Sequence, residues 1–220
     1  MDLQSQDRLT WFDIPEIRKQ FQFFTGTNRI METIYSDGSF SSKSGIGGMA
    51  VIAPEWTAIY GGGMWCSMWD IFIGREPEYG IVAFCASCTC KDSNDAEKFA
   101  LNIAFRLAYD MISLADEGQN VEMKVEIVTD STFNIDWVTR WNTIGDPILN
   151  SIYGLWSERR IILSKVKGHN GDFGNELADK WAGKARLLGE SHAPRASQPQ
   201  VGKLSKSQLR KRRNTPPPRD

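Results

Sequence analysis

Residues 93–130, SNDAEKFALNIAFRLAYDMISLADEGQNVEMKVEIVTD, change their period part-way along, and that change decides the fold class. In the first part Ala96, Phe99, Ala100, Ile103, Ala104, Leu107, Ala108 and Met111 recur at helical spacing as one apolar stripe. Ser93 or Asn94 offers a cap before it, and Gly118 a stop after it. From Val121 the pattern becomes the alternation of a strand, VEMKVEIVT, which ends at Asp130-Ser131. A one-sided helix that feeds a strand needs a sheet to pack on. Two carboxylates gain definite places from this reading: Glu97 in the helix's first turn and Asp130 at the strand's carboxyl end.

Upstream, METIYSDGSF (31–40) reads as a strand entering a turn at Asp37-Gly38. SGIGGMAVIAP (44–54) is its hairpin partner, stopped by Pro54. Residues 55–77 hold three Trp and three consecutive Gly, which fits a long hairpin with an aromatic-lined insertion. Those aromatics are expected to cover the domain's own core, with base stacking as the alternative. YGIVAFCASCT (79–89) is a third strand. Downstream, the expectations are helices at 131–141 and 146–160, the latter opened by Asp-Pro, a strand at 160–168 and a helix at 173–189. The order β-β-β-α-β-α-α-β-α predicts an α/β fold with a mixed five-stranded sheet, a three-strand meander plus two parallel strands, flanked by helices.

At 220 residues, 41% hydrophobic and 24% charged, the chain can bury one full core. The expected organisation is an extension at 1–30, a domain at 31–189 and a disordered tail at 190–220. WFDIPEIRKQFQFF in the extension suits a short helix or packed arm. No apolar run reaches the roughly 18 residues of a membrane span, and the N-terminus resembles neither a signal nor a transit peptide. An intracellular protein, nuclear or cytoplasmic, without membrane contact is expected. The net charge of −1 conceals a tail with eight Lys/Arg and one acid at 191–220. A basic tail on an acidic domain suggests a polyanionic partner or an import signal. Cys66, Cys85, Cys88 and Cys90 suit a reducing compartment. CASCTC invites a zinc reading, but strand alternation puts Cys88 and Cys90 on one face and Cys85 on the other. No further His or Cys pair supplies four ligands at familiar spacing, so buried thiols are expected.

If the first and fourth strands lie parallel and adjacent, Asp37 and Asp130 emerge side by side at the carboxyl edge, where open α/β sheets bind ligands. In VKGHNGDFGNELADKWAGKA (166–185), His169 precedes the last helix, and Asp179 lies four residues after Asn175 on one helix face. Clustered carboxylates repel and titrate upward unless a cation sits among them. Their hard oxygens suit Mg²⁺ or Mn²⁺. Singly these residues are ordinary: a turn Asp, a helix-start Glu, a capping Asp. The ordered set carries the argument.

That set resembles the ribonuclease H family, through YSDGSF, SNDAEKFAL, IVTDSTFNI and VKGHNGDFGNELADKWA, over roughly 31–188. The resemblance implies endonucleolytic cleavage of the RNA strand of an RNA/DNA hybrid, and a monomer is expected. It implies two Mg²⁺ ions, replaceable by Mn²⁺, held by Asp37, Glu97, Asp130 and Asp179, with Asp37 bridging both. His169 would assist proton transfer or product release. Gly38, Ser39, Ser93, Asn94, Ser131 and Asn175 would contact substrate. Between Asp130 and His169 there is no room for the extra basic helix that many cellular members use to grip the hybrid. The tail KLSKSQLRKRR supplies either that grip or a nuclear signal. Two other functions share such a fold: a non-catalytic nucleic-acid-binding module, and another nuclease such as a resolvase or exonuclease.

Overall fold

The structure, a computed structural model, describes residues 29–62, 71–118, 122–131, 147–168 and 170–192. Strands β1 (Arg29–Ser41), β2 (Ile46–Pro54), β3 (Phe72–Glu76), β4 (Ile81–Thr89), β5 (Glu122–Thr129) and β6 (Ile161–Lys165) alternate with helices α1 (Ser93–Gly118), α2 (Pro147–Ser157) and α3 (Phe173–His192). The sheet order is β3-β4-β2-β1-β5-β6. β1 pairs antiparallel with β2 and parallel with β5, and β5 pairs parallel with β6. The expected mixed α/β sheet is therefore present, with six strands instead of five. The expected helix at 131–141, the N-terminal arm and the basic tail lie outside the described residues.

Burial follows from which faces are covered. α1 packs on one face against Ile34, Met49, Val51, Phe84, Val125 and Ile127, with Leu101, Phe105 and Met111 from its own stripe. α3 covers the other face over β1, β2 and β4, through Leu177, Ala178, Ala182 and Ala185 against Ala50, Ile52, Ala83 and Cys85. β2 is thus enclosed on both sides and reads as a continuous apolar run. β5 has one covered face, and its burial alternates for most of its length. The described cysteines divide as the alternation implied, with Cys85 in the α3-side core, Cys88 against the α1-side core and Cys90 Sγ 3.6 Å from Cys88 Sγ, while Cys66 lies outside the described residues.

The sixth strand corrects the reading of 55–77 as one long hairpin. After β2 the chain makes 3-10 turns at Glu55–Gly62, where Trp56 packs on the core and Thr57 is buried. It then reaches the outer edge as β3 and returns as β4 between β3 and β2. The three expected strands, β1, β2 and β4, thus pair antiparallel in that order as a meander, with β3 added at its outer edge. β3 is only five residues long with Gly74 at its centre, so it gives little alternation. The glycine is needed there, because a Cβ would strike the Trp181 ring at 2.3 Å. Trp181 Nε1 and Lys180 Nζ both donate to Glu76 Oε1, at 3.0 and 2.7 Å, which fastens the edge strand to α3.

The start of α1 also differs from expectation. Asp92, not Ser93 or Asn94, is the cap: its Oδ1 accepts the Asp95 N–H at 2.9 Å, while Asp95 Oδ2 accepts the Lys91 N–H at 3.2 Å. Ser93 and Asn94 are the first helical residues, with exposed side chains. We expect Asp92→Ala to cost about 1 kcal/mol in urea unfolding, and Ser93→Ala to stay within roughly 0.5 kcal/mol of the parent. The opposite order would return the cap to Ser93.

Candidate active site

Asp37 does not lie in a turn. β1 continues to Ser41, and the hairpin turn falls at 42–45. The parallel pairing of β1 with β5 ends at Tyr35–Val128, so Asp37 stands just beyond the end of that ladder. Asp130 follows the last residue of β5 and comes up beside it. Gly38 earns its place by close approach: a Cβ there would lie 2.4 Å from the Glu97 backbone nitrogen. This backbone contact brings the fifth residue of α1, Glu97, onto Asp37. Glu97 is therefore past the first turn of its helix, where Asp95 is the acid.

The outcome is a cluster in which oxygens of Asp37, Glu97 and Asp130 all lie within 4.8 Å of one another. Asp37 is buried, 5% exposed, and its Oδ1 accepts the Gly38 N–H at 2.8 Å. Burial pushes its carboxyl up to about 7, helped by the charges of Asp130 and Asp179 and opposed by a hydrogen bond with Glu97. Burial also raises Glu97, and the neighbouring Asp37 raises it further. The two carboxyls share a hydrogen bond, so in the absence of a cation the pair retains a proton around neutral pH.

Around this core, Asn175 is buried and its Nδ2 donates to Asp130 Oδ2 at 3.4 Å. Its Oδ1 is buried with no partner among the described residues. The Asn175 N–H is held by Asp172 Oδ1 at 3.0 Å, the cap of α3. Asp172 was missed from the sequence, although an Asp three residues before Asn175 has the spacing of an N-cap. Asp179 lies on α3, exposed and outside the three-carboxylate cluster, yet close enough for its charge to act on Asp37. Ser39 Oγ accepts Arg186 Nε at 3.1 Å, another partner that no motif indicated. Ser131 follows Asp130, its N–H donating to Thr129 Oγ1 at 3.2 Å. His169 lies outside the described residues.

The donor set fits a hard divalent cation: three close carboxylates, of which Asp37 and Glu97 have raised proton affinity, beside an orphaned amide oxygen. Thus the fold and site define an α/β domain with an acidic centre at the carboxyl edge of its sheet. The chain matches the RNase H family over residues 29–186 and belongs to that family. Membership places it among nuclease-type hydrolases acting on nucleic acid. None of the curated proteins compared with it matches its sequence. Among solved structures it is similar to the N-terminal RNase H domain of Rv2228c from Mycobacterium tuberculosis, determined as a maltose-binding-protein fusion. The two are 16% identical with a TM-score of 0.45, over 75% of this chain and 99% of that one. No described helix is long and apolar enough to cross a membrane.

The raised carboxyls have a thermodynamic consequence. A carboxyl whose folded pKa exceeds its unfolded value binds more protons when folded. Stability is then lost as pH rises from the unfolded pKa, about 4.3 for Glu, through the folded one. In chelator, the parent should lose of order 1–3 kcal/mol more than Glu97→Gln between pH 5 and 8. Mg²⁺ or Mn²⁺ should restore the parent's melting temperature at pH 8 and do less for the variant. Parallel pH profiles would show that Glu97 carries no such burden.

Proposed function

We propose that the protein is an endoribonuclease that cuts the RNA strand of RNA/DNA hybrids. The observation that carries this reading is the convergence of Asp37, Glu97 and Asp130 from three separate elements. These residues, joined by Asp179, are the proposed holders of two Mg²⁺ ions, with Mn²⁺ as a substitute. Bound ions would activate water and offset charge on the leaving oxygen of the phosphodiester.

The chain's own part is positioning. The Gly38 N–H fixes one oxygen of Asp37, and Asn175 fixes one of Asp130, so the carboxylates do not have to reorganise when substrate arrives. His169, in the Gly-His segment before α3, is the proposed group for moving a proton at the leaving oxygen or for assisting product release. Ser93 and Asn94 stand exposed at the start of α1, because Asp92 does the capping. Their polar side chains suit 2′-hydroxyls in the minor groove, the feature by which a protein tells RNA from DNA. Gly38, Ser39, Ser131 and Asn175 complete the proposed contacts to the strand. The basic tail, with net charge of about +7 over 191–220, is the proposed electrostatic grip.

The test is incubation with a hybrid labelled on its RNA, beside matched RNA/RNA and DNA/DNA duplexes, with Mg²⁺ or chelator. Cutting of the hybrid's RNA in Mg²⁺ alone is expected. Binding without cutting would favour the non-catalytic module, and cutting of DNA another nuclease of this fold. Asp130→Asn should abolish cleavage while hybrid binding survives; retained cleavage would remove Asp130 from the centre. Deleting residues 193–220, which leaves α3 whole, should weaken hybrid binding more at low salt than at high salt. Affinity unchanged at every salt concentration would exclude the tail as a grip.

A further inference from the structure

A second concavity lies on the α3 side of the sheet. It is an open groove of about 430 Å³ between β1, β2, the turn before β4 and the first residues of α3. Its floor is apolar, formed by Ile52, Pro54 and Ile81. At its mouth stand Tyr79 and Phe173, 55% and 51% exposed, meeting edge to face with ring centroids 4.9 Å apart. Two large aromatic rings left half in water at one groove are not explained by core packing, and neither belongs to the two buried clusters. An edge-to-face pair also leaves ring surface open for a third planar group.

The inner wall is polar. Thr33, Tyr35 and Asp172 line it. Asp172 Oδ1 accepts the Asn175 N–H, and a carboxylate has acceptor capacity beyond that one bond. An apolar slot with aromatic rings at its mouth and hydroxyl and carboxylate groups along its wall has the chemistry of a nucleobase: flat faces to stack and a donor-bearing edge. The same carboxylate disfavours a phosphate inside the groove, although a helix N-terminus is adjacent, so the backbone of a bound strand would stay outside.

The groove shares two elements with the acidic centre, β1 and the start of α3. Tyr35 precedes Asp37 by two residues on β1 and so shares its face. Asp172 precedes by three residues the Asn175 that donates to Asp130. Two residues of strand span roughly 7 Å, so the groove lies within reach of a nucleic acid engaged at the carboxylates. A paired base is committed to its own stack and cannot enter, whereas a base in an overhang or frayed end can.

We propose that this groove binds one unpaired nucleobase of the nucleic acid held at the acidic centre, stacked against Tyr79 and Phe173. The proposal takes the class of polymer from the reading above, but it rests on different residues. Its test needs neither a hybrid, a metal nor cleavage, so the two can fail separately. The full chain, in chelator, is titrated by fluorescence anisotropy with a dye-labelled single-stranded tetranucleotide and with the same strand made abasic. Stacking is worth roughly 1–3 kcal/mol per base, or about 5- to 150-fold in affinity, and the base-bearing strand should bind about tenfold more tightly. Tyr79→Ala and Phe173→Ala should each erase most of that difference and leave abasic binding unchanged. Both rings are more than half exposed, so both variants should fold, which far-UV circular dichroism checks. Equal affinity of the parent for the two strands would overturn the proposal. So would a base preference that survives both substitutions.

Discussion

The site depends on one backbone-to-backbone contact, that of Gly38 in β1 with Ala96 and Glu97 in α1. A helix normally stands off a sheet by the thickness of two side-chain layers. Here it touches the strand directly, at the point where the parallel ladder has just ended. A methyl group on Gly38 would occupy space already filled by main chain, which cannot move aside as a flexible side chain can. With that contact made, the neighbouring side chains Asp37 and Glu97 have no choice but to meet. Asp92 reinforces the arrangement by holding the helix start, and the α1 stripe holds the rest of the helix against β1, β2 and β5.

Bringing three carboxylates together at a half-buried sheet edge opposes folding. The structure limits the cost in two ways. Asp37 and Glu97 share a hydrogen bond, which is possible only when one of them is protonated. The Gly38 N–H and the Asn175 amide donate to the cluster from outside it. These are neutral donors, and they orient charge more than they cancel it. Among the described residues the cluster has no positively charged partner, a condition that suits a cation binding to ligands already in place.

Much of this was legible in the sequence because it depends on period and punctuation. The α1 stripe, the alternation of β5 and the positions of Asp37, Glu97 and Asp130 near the carboxyl ends of their elements are local patterns. The failures were tertiary. Asp37-Gly38 has turn chemistry by composition, but the glycine serves the distant helix α1 at Ala96 and Glu97, and nothing local distinguishes the two uses. Ser93 and Asn94 are good capping residues beside an equally good Asp92, and only hydrogen-bond geometry chooses among them. β3 was hidden because Gly74 replaces a side chain that Trp181 supplies from α3. Arg186 reaching Ser39 spans 147 residues and leaves no mark in either neighbourhood.

The exposure of Asp179 follows from the same electrostatics. It shares α3 with Asn175, four residues on, yet Asn175 is buried against Asp130 while Asp179 remains in solvent. Its charge already reaches Asp37 and helps raise that carboxyl. Moving it inward without a cation would add a fourth negative group to a pair that cannot ionise fully. Leaving it in water avoids that penalty. The position of α3 is set elsewhere, by Trp181 on Gly74, by Glu76 and by the alanine face on β2 and β4, so the charge of Asp179 has no part in seating its helix. The fold thus separates rigidity, supplied by α3 packing, from the negative charge gathered at the edge of the sheet.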